Sequence, residues 1–132
     1  MSLYQRKIFV GDTDFSGALY FTRLQDIALE SFITQFESFL FDQDYFFPVV
    51  RAVADYKSMV KLGDHLTATL FEKRVGHTSF TYLVVLENQK KEEVGCVTIT
   101  HVCVSKASKD KVEIPVLFKK ALALLDRLEV VG

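Results

Sequence analysis

The spacing of apolar residues changes along this chain from that of a strand to that of a helix and then to that of four strands, and few folds have this order of elements. Residues 3–10 are typical of a strand, and over residues 20–40 the apolar side chains recur at helical spacing. Within that range, Thr22 and Gln25 have the spacing of a capping box, which marks a candidate start of the helix. Four strand-like segments follow at residues 49–59, 65–74, 79–87 and 94–105. No helix-length connection separates them, so we expect antiparallel neighbours.

One long apolar helix must therefore be buried by one sheet of about five strands, and a sheet of this size can curl around it. The opposite face of the sheet still carries Val and Leu side chains, which a partner subunit would cover. Pro115 predicts the start of a short final helix. The apolar residues of this helix are Leu117, Phe118, Ala121, Leu122, Leu125 and Leu128. The 132 residues show no linker or repeat, so we expect a single domain, 1–132.

Composition and charge exclude several classes of partner. The formal net charge is −1, which gives no polybasic signature for nucleic acid. No apolar run is long enough to span a bilayer, and the N-terminal residues lack the apolar core of a signal peptide, so a cytoplasmic location is expected. Cys96 and Cys103 are seven residues apart in one strand, which places them on opposite faces and prevents their pairing. No ligand spacing for a metal site is present.

Aromatic residues are unusually frequent in the predicted helix and in the loop that follows it. The chain has twelve Phe and five Tyr but no Trp. Seven of these rings lie between residues 32 and 47, and they are Phe32, Phe36, Phe39, Phe41, Tyr45, Phe46 and Phe47. This much aromatic surface in a small domain indicates a lined pocket, a subunit interface or plain core packing.

The candidate site is the run DTDFSGALYF at residues 12–21. Asp12 and Asp14 follow the first strand, Gly17 comes three residues after the second acid, and the helix begins soon afterwards. This order places a carboxylate beside free backbone N–H groups at a helix N-terminus. The carboxylate can act as a base or nucleophile, and the N–H groups can hold a developing oxyanion. We expect Asp12 to be structural and to cap the turn.

These residues resemble those of the hotdog-fold acyl-CoA thioesterases of the 4-hydroxybenzoyl-CoA thioesterase type. The shared pattern is Asp-x-Asp-x-x-Gly, two apolar residues, an aromatic residue or His, and the long helix. Two weaker similarities are YKSMVKLGD at residues 56–64 and GHTSF at residues 76–80. The resemblance covers nearly the whole chain. It implies an α+β hotdog fold, in which about five antiparallel strands wrap around one long hydrophobic helix and a short C-terminal helix follows.

The resemblance also implies roles for individual residues. Asp14 would attack the thioester carbonyl or activate water for that attack, and the backbone N–H of Phe21 would point at the thioester oxygen. The substrate-binding residues that it implies are Gly17, Tyr20, Thr78 and Ser79. The active sites would lie between the subunits of a homodimer or homotetramer, with an acyl-CoA as substrate and no cofactor or metal. Thr78 and Ser79 would either line the pocket from the opposite subunit or cap the end of a strand.

Several alternatives remain open at this point. Phe21 favours an aromatic acyl group, including 1,4-dihydroxy-2-naphthoyl-CoA, or a medium acyl group. Phe15 and Ser16 replace the small or Pro residues that are common in the family. The other functions are a thioesterase that acts on acyl carrier protein and a non-catalytic module that binds acyl-CoA. A phosphatase of the haloacid-dehalogenase type also has Asp-x-Asp after a strand, but it needs a parallel sheet with alternating helices.

Overall fold

The computed structural model describes residues 4–127, without the side chain of residue 127. The helices are α1 (Arg23–Leu40) and α2 (Val116–Ala123). The strands, in chain order, are β1 (Tyr4–Lys7), β2 (Tyr45–Phe46), β3 (Val49–Tyr56), β4 (His65–Val75), β5 (Ser79–Glu87), β6 (Glu93–Val102), β7 (Val104–Ser105) and β8 (Asp126–Arg127).

Five of these strands form one antiparallel sheet in the order β1-β4-β5-β6-β3. The prediction of an α+β chain with a five-stranded antiparallel sheet and two helices is thereby confirmed. The short strand β8 pairs with β4 in parallel, and β2 pairs with β7 in a separate two-stranded sheet. Among residues 4–127, strand β3 forms one edge of the main sheet and pairs with β6 alone. This edge strand ends beside the candidate site.

The last predicted strand, residues 94–105, is interrupted. Strand β6 ends at Val102, and the backbone of Cys103 departs from the regular ladder. The N–H of Cys103 donates to the carbonyl of Thr78 at 2.8 Å, and its carbonyl accepts from the N–H of Val112 at 3.0 Å. The chain then pairs with β2 instead of β5. Both cysteine thiols are free; Cys103 is buried and Cys96 is partly exposed.

Helix α1 begins at Arg23, directly after the candidate start Thr22, rather than at position 20, and its 18 residues end at Leu40. The prediction of one long continuous helix is not confirmed, because Phe36 has non-helical dihedral angles (φ −114°, ψ 22°) that kink it. The N–H of Tyr20 is already bonded to the carbonyl of Asp12 at 2.8 Å, and the carbonyl of Tyr20 accepts from Arg23 N–H at 2.8 Å. Residues 20–22 therefore form a turn before the helix. Thr22 is the N-cap residue, but its side chain makes no capping hydrogen bond, so the capping box inferred from spacing is wrong.

Helix α1 packs on the sheet through aromatic rings. The Phe32 ring is fully buried and stacks on Tyr82 at 4.2 Å between centroids, with Phe80 and His101 also in contact. Burying a side chain of this size contributes about 1.5–3 kcal/mol to folding. The ring of Phe118, from α2, packs edge-on against Phe80 at 5.4 Å. The core therefore lies between α1, α2 and one face of the sheet.

The remaining expectations for the C-terminal helix and the aromatic cluster hold in part. Helix α2 follows Pro115 as predicted, and Leu125 is buried just after it, whereas Leu128 lies outside the described residues.

Of the seven clustered rings, Phe32 is core but Phe41 is 72% exposed. Plain core packing therefore accounts for only some of these rings.

Candidate active site

The turn that carries the candidate residues is anchored by Asp12. Its carboxylate is buried and accepts from the N–H of Phe9 at 3.0 Å and from the guanidinium of Arg6 at 2.8 Å. Arg23, the first residue of α1, lies 3.5 Å from the same carboxylate. The hydrogen bond from Arg6 holds the pKa of Asp12 below its usual range. Asp12 thus caps the turn, in agreement with its predicted structural role.

Asp14 lies in a different environment two residues later. Its Oδ1 atom accepts two hydrogen bonds from Ser16, one from the backbone N–H at 2.8 Å and one from the hydroxyl at 2.6 Å. The hydroxyl bond is the main reason that the pKa of Asp14 is lowered, so its carboxylate is ionised at neutral pH. Within residues 4–127, the second oxygen, Oδ2, makes no hydrogen bond, although the backbone of Ala18 makes a smaller contribution to lowering the pKa of the carboxyl group. One carboxylate oxygen is therefore held and the other is open.

Gly17 allows the backbone to reverse directly after Asp14. Its φ is +85°, a left-handed conformation that glycine adopts without strain. The N–H of Gly17 donates to the carbonyl of Asp14 at 3.1 Å, and the N–H of Asp14 donates to the carbonyl of Ala18 at 2.8 Å. The predicted tight turn is present, and a substrate contact by Gly17 stays a prediction.

The backbone N–H of Phe21 is available for a ligand. It has no acceptor in the part of the chain that the structure describes, whereas the N–H of the preceding residue, Tyr20, is bonded to the carbonyl of Asp12. Phe21 lies two residues before α1, where the helix dipole favours negative charge. The Phe21 carbonyl accepts a hydrogen bond from the hydroxyl of Tyr56, the last residue of β3. This contact fixes the residue that presents the free N–H.

An open cavity of about 350 Å³ is lined in part by Phe21. It is mostly apolar, and its lining residues are Ala18, Leu19, Phe21, Leu24, Tyr56, Lys57, Ser58, Met59, Val60 and Val94. Asp14 is not one of the lining residues, but its backbone N–H donates to the carbonyl of Ala18, which is. The exposed ring of Tyr20 lies next to that of Phe21, with centroids 5.3 Å apart, so it extends the apolar surface around the entrance.

Thr78 and Ser79 are not part of this site in a single chain. Thr78 precedes β5 and Ser79 begins it, next to the end of β4, whereas Ala18 of the Asp14 turn pairs with Lys61, which lies shortly before the start of β4. The two places are therefore at opposite ends of β4, whose 11 residues make a strand of roughly 33 Å. The Ser79 hydroxyl accepts from Arg74 at 2.7 Å. Their predicted role requires a second subunit.

Two residues of the site were missed from the sequence. Ser16 follows Asp14 at the spacing of an Asx turn, and this pattern is a usable signal for its hydrogen bonds. Tyr56 gives no such signal, because its partner Phe21 is 35 residues away in the chain.

The described residues contain no group of three or more His, Cys, Asp or Glu side chains arranged to hold a metal ion. No helix among them has both the length and the apolar character needed to cross a membrane.

Comparison with known families and structures identifies the class. The family model described as the thioesterase superfamily matches residues 15–95, which begin directly after Asp14 and reach into β6. The chain belongs to the thioesterase superfamily. The predicted enzyme class, a thioester hydrolase, is confirmed.

Relatives of this thioesterase are named for one substrate. The 1,4-dihydroxy-2-naphthoyl-CoA hydrolase of Trichodesmium erythraeum (strain IMS101) is 30% identical over 121 residues, covering 84% of this chain and 88% of the relative. The enzyme of the same name from Nostoc punctiforme (strain ATCC 29133 / PCC 73102) is 30% identical over 120 residues, covering 85% and 80%.

Solved structures show the same fold. The 1,4-dihydroxy-2-naphthoyl-CoA thioesterase from Synechocystis superposes with a TM-score of 0.84 at 21% identity, covering 96% of this thioesterase and 98% of that chain. The dynemicin thioesterase superposes with a TM-score of 0.87 at 12% identity, with the same coverage. The thioesterase described here therefore has the hotdog architecture that its sequence predicted.

Proposed function

We propose that this thioesterase hydrolyses an acyl-CoA thioester with an aromatic or medium acyl group, using Asp14 as nucleophile or general base. The observation that carries the proposal is that one turn holds both a carboxylate oxygen and a backbone N–H that make no hydrogen bond. Oδ2 of Asp14 accepts none and the N–H of Phe21 donates none among residues 4–127, and Phe21 lines the cavity.

The chemistry needs little beyond these two groups. Attack on the thioester carbonyl moves negative charge onto its oxygen, and the N–H of Phe21, at the start of α1, would bind that oxygen. One well-placed donor of this kind contributes roughly 3–4 kcal/mol to transition-state stabilisation. Oδ2 of Asp14 would either attack the carbonyl carbon or take a proton from the attacking water. Both routes use the same oxygen and the same oxyanion donor.

An aromatic acyl group fits the cavity best. Its lining is mostly aliphatic and aromatic, with the polar groups of Lys57 and Ser58 on one side. The curated relatives are named 1,4-dihydroxy-2-naphthoyl-CoA hydrolases, and we propose that an acyl group of this planar type occupies the cavity. Phe21 and Tyr20 would add ring surface next to it.

We also propose a homodimer in which two copies of β3 pair edge to edge. Val50, Val53 and Tyr56 of β3 are 41–56% exposed, and an exposed apolar edge strand is a template for pairing with another chain. In an antiparallel pair, the start of β3 in one subunit meets its end in the other. Thr78 and Ser79 of the partner subunit would then lie at the same end of the joined sheet as Asp14.

The test is release of CoA thiol from a panel of thioesters by the wild type and by Asp14→Asn. The panel contains benzoyl-, 4-hydroxybenzoyl-, 1,4-dihydroxy-2-naphthoyl-, short-chain and long-chain CoA. We expect the highest kcat/KM with an aromatic substrate and a fall of about 10²–10⁴-fold in the variant. Unchanged hydrolysis by Asp14→Asn would contradict the role of Asp14. Activity only on acetyl-CoA would contradict the aromatic cavity, and no activity on any thioester would favour a carrier-protein substrate or a binding module.

A further inference from the structure

We propose that Ser16 is a positioning residue that turns the Asp14 carboxylate so that Oδ2 alone meets the substrate. The inference rests on the proposed function of Asp14. It starts from two hydrogen bonds that converge on one oxygen, from the N–H and the hydroxyl of Ser16 to Oδ1, at 2.8 and 2.6 Å.

The backbone around Asp14 is already fixed, so rotation of its side chain is the freedom that remains. The N–H of Asp14 donates to Ala18 and its carbonyl accepts from Gly17. A carboxylate on an exposed turn otherwise rotates about its side-chain bonds and exchanges its two oxygens. Because both Ser16 donors bind Oδ1, they select one orientation and leave the lone pairs of Oδ2 unoccupied.

The Ser16 hydroxyl has no structural task elsewhere. Ser16 is exposed, and its hydroxyl makes its one hydrogen bond within the described residues to Asp14. The same turn offers a matched control in Thr13, whose hydroxyl donates to the carbonyl of Val10 at 2.8 Å and does not contact Asp14. A comparison of the two hydroxyls separates an effect on Asp14 from an effect on the turn.

Removing the Ser16 hydroxyl has a second consequence besides free rotation. Its hydrogen bond stabilises the ionised carboxylate, and this is the first cause of the lowered pKa of Asp14. Without the hydroxyl, we expect the pKa of Asp14 to rise towards its ordinary range. A purely structural role of Ser16 would not produce this rise.

The experiment compares Ser16→Ala, Ser16→Thr and Thr13→Val with the wild type on the best CoA thioester of the panel. For Ser16→Ala we expect kcat to fall about tenfold, the lower end for a hydrogen bond to a charged group, with KM changed less than about twofold. The acid limb of the kcat profile should move to higher pH. Ser16→Thr should restore both values, and Thr13→Val should leave them as in the wild type.

A second measurement needs no activity. The carboxyl carbon of Asp14 is followed by NMR during a pH titration, and its signal is assigned by its loss in Asp14→Asn. We expect the titration midpoint to be higher in Ser16→Ala than in the wild type. A midpoint and a kcat that both remain at the wild-type values would overturn the inference.

The failure of this inference can be told apart from failure of the proposed function. If Asp14→Asn keeps wild-type activity, the proposed function falls and the inference falls with it. If Asp14→Asn is inactive but Ser16→Ala behaves as the wild type, only the positioning role is overturned. When Ser16 acts through Asp14, adding Ser16→Ala to Asp14→Asn should lower the residual rate no further.

Discussion

The aromatic core and the Asp14 turn differ in whether their polar groups all have hydrogen-bond partners. In the core, the Nδ1 atom of His101 donates to the carbonyl of Phe47 at 2.8 Å, and its Nε2 atom therefore accepts from the hydroxyl of Tyr82 at 2.9 Å. Every polar atom of this buried pair has a partner. On the turn, one oxygen of Asp14 has none among residues 4–127. A polar atom with a hydrogen-bond partner in the protein stabilises the fold, whereas a polar atom without one is available to bind a substrate.

The same contrast exists within the turn itself. Asp12 is 5% exposed and held by two arginines, whereas Asp14 is partly exposed and held on one side by Ser16. Two identical side chains two residues apart thus serve different purposes. Residue type alone does not separate them, because the difference lies in the donors around each carboxylate.

The largest effect on stability should come from the core. Phe32→Ala removes a ring that stacks on Phe80, Tyr82 and His101. We expect the free energy of unfolding to fall by about 3–5 kcal/mol, because the neighbouring rings cannot close the cavity. Urea unfolding measures the loss. A loss below about 1 kcal/mol would show that the stacked rings are not a tightly packed core.

The same substitution at the two acids tests the contrast within the turn. Asp12→Asn should lower the free energy of unfolding by about 1.5–3 kcal/mol, because it weakens hydrogen bonds to a buried charge next to Arg6. Asp14→Asn should leave the unfolding midpoint unchanged. The rate of thiol release by the folded protein should show the reverse: Asp14→Asn should lower it more than Asp12→Asn does. Equal unfolding midpoints for the two variants would contradict the comparison.

Stability should also depend on pH through the core histidine. Burial lowers the pKa of His101 below its ordinary value of about 6.5, so the unfolded chain binds this proton more readily than the folded one. Stability is therefore full above about pH 6.5 and falls as pH drops towards the lowered pKa. The slope for one proton is at most about 1.4 kcal/mol per pH unit. Urea unfolding between pH 7 and 5 should show a smaller fall for His101→Gln than for the wild type.

The smallest effect is expected at the oxyanion side of the site. Tyr56→Phe removes the hydroxyl that donates to the Phe21 carbonyl but keeps the ring beside the cavity. We expect kcat to fall roughly two- to tenfold with KM nearly unchanged, as for the loss of one neutral hydrogen bond that orients the N–H of Phe21. A matched control is Tyr4→Phe, because the hydroxyl of Tyr4 donates to Glu30 and Tyr4 does not line the cavity. Equal rates for both variants would show that the hydroxyl of Tyr56 does not orient Phe21.

Most of the fold could be predicted because the periodic spacing of apolar residues shows which side chains of a strand or helix are buried. The alternation in β4 and β5 and the helical spacing in α1 each follow from one buried face, and the sequence shows that face directly. The helical spacing of apolar residues extends back to Tyr20, but α1 starts after Thr22, the candidate start that the sequence offered, because Tyr20 bonds to Asp12 instead of continuing the helix. The break at Cys103 depends in the same way on a distant partner, Thr78.

The site was predictable to a smaller extent. Asp14, Gly17 and Phe21 share one short motif, and the bond of Gly17 N–H to the Asp14 carbonyl follows from the turn within it. The hydrogen bond between Tyr56 and Phe21 joins residues 35 apart, and no local pattern reports it. The role of Thr78 and Ser79 depends on a subunit arrangement, which spacing within one chain does not describe.

The backbone of the Asp14 turn is bonded at both ends, yet Phe15 at its tip is fully in solvent and Ser16 is exposed. Exchanges at these two positions therefore cost the fold little, and at Ser16 they change the surroundings of the Asp14 carboxylate. Such a loop gives natural selection, or a protein engineer, a place to alter rate and substrate preference with little loss of stability.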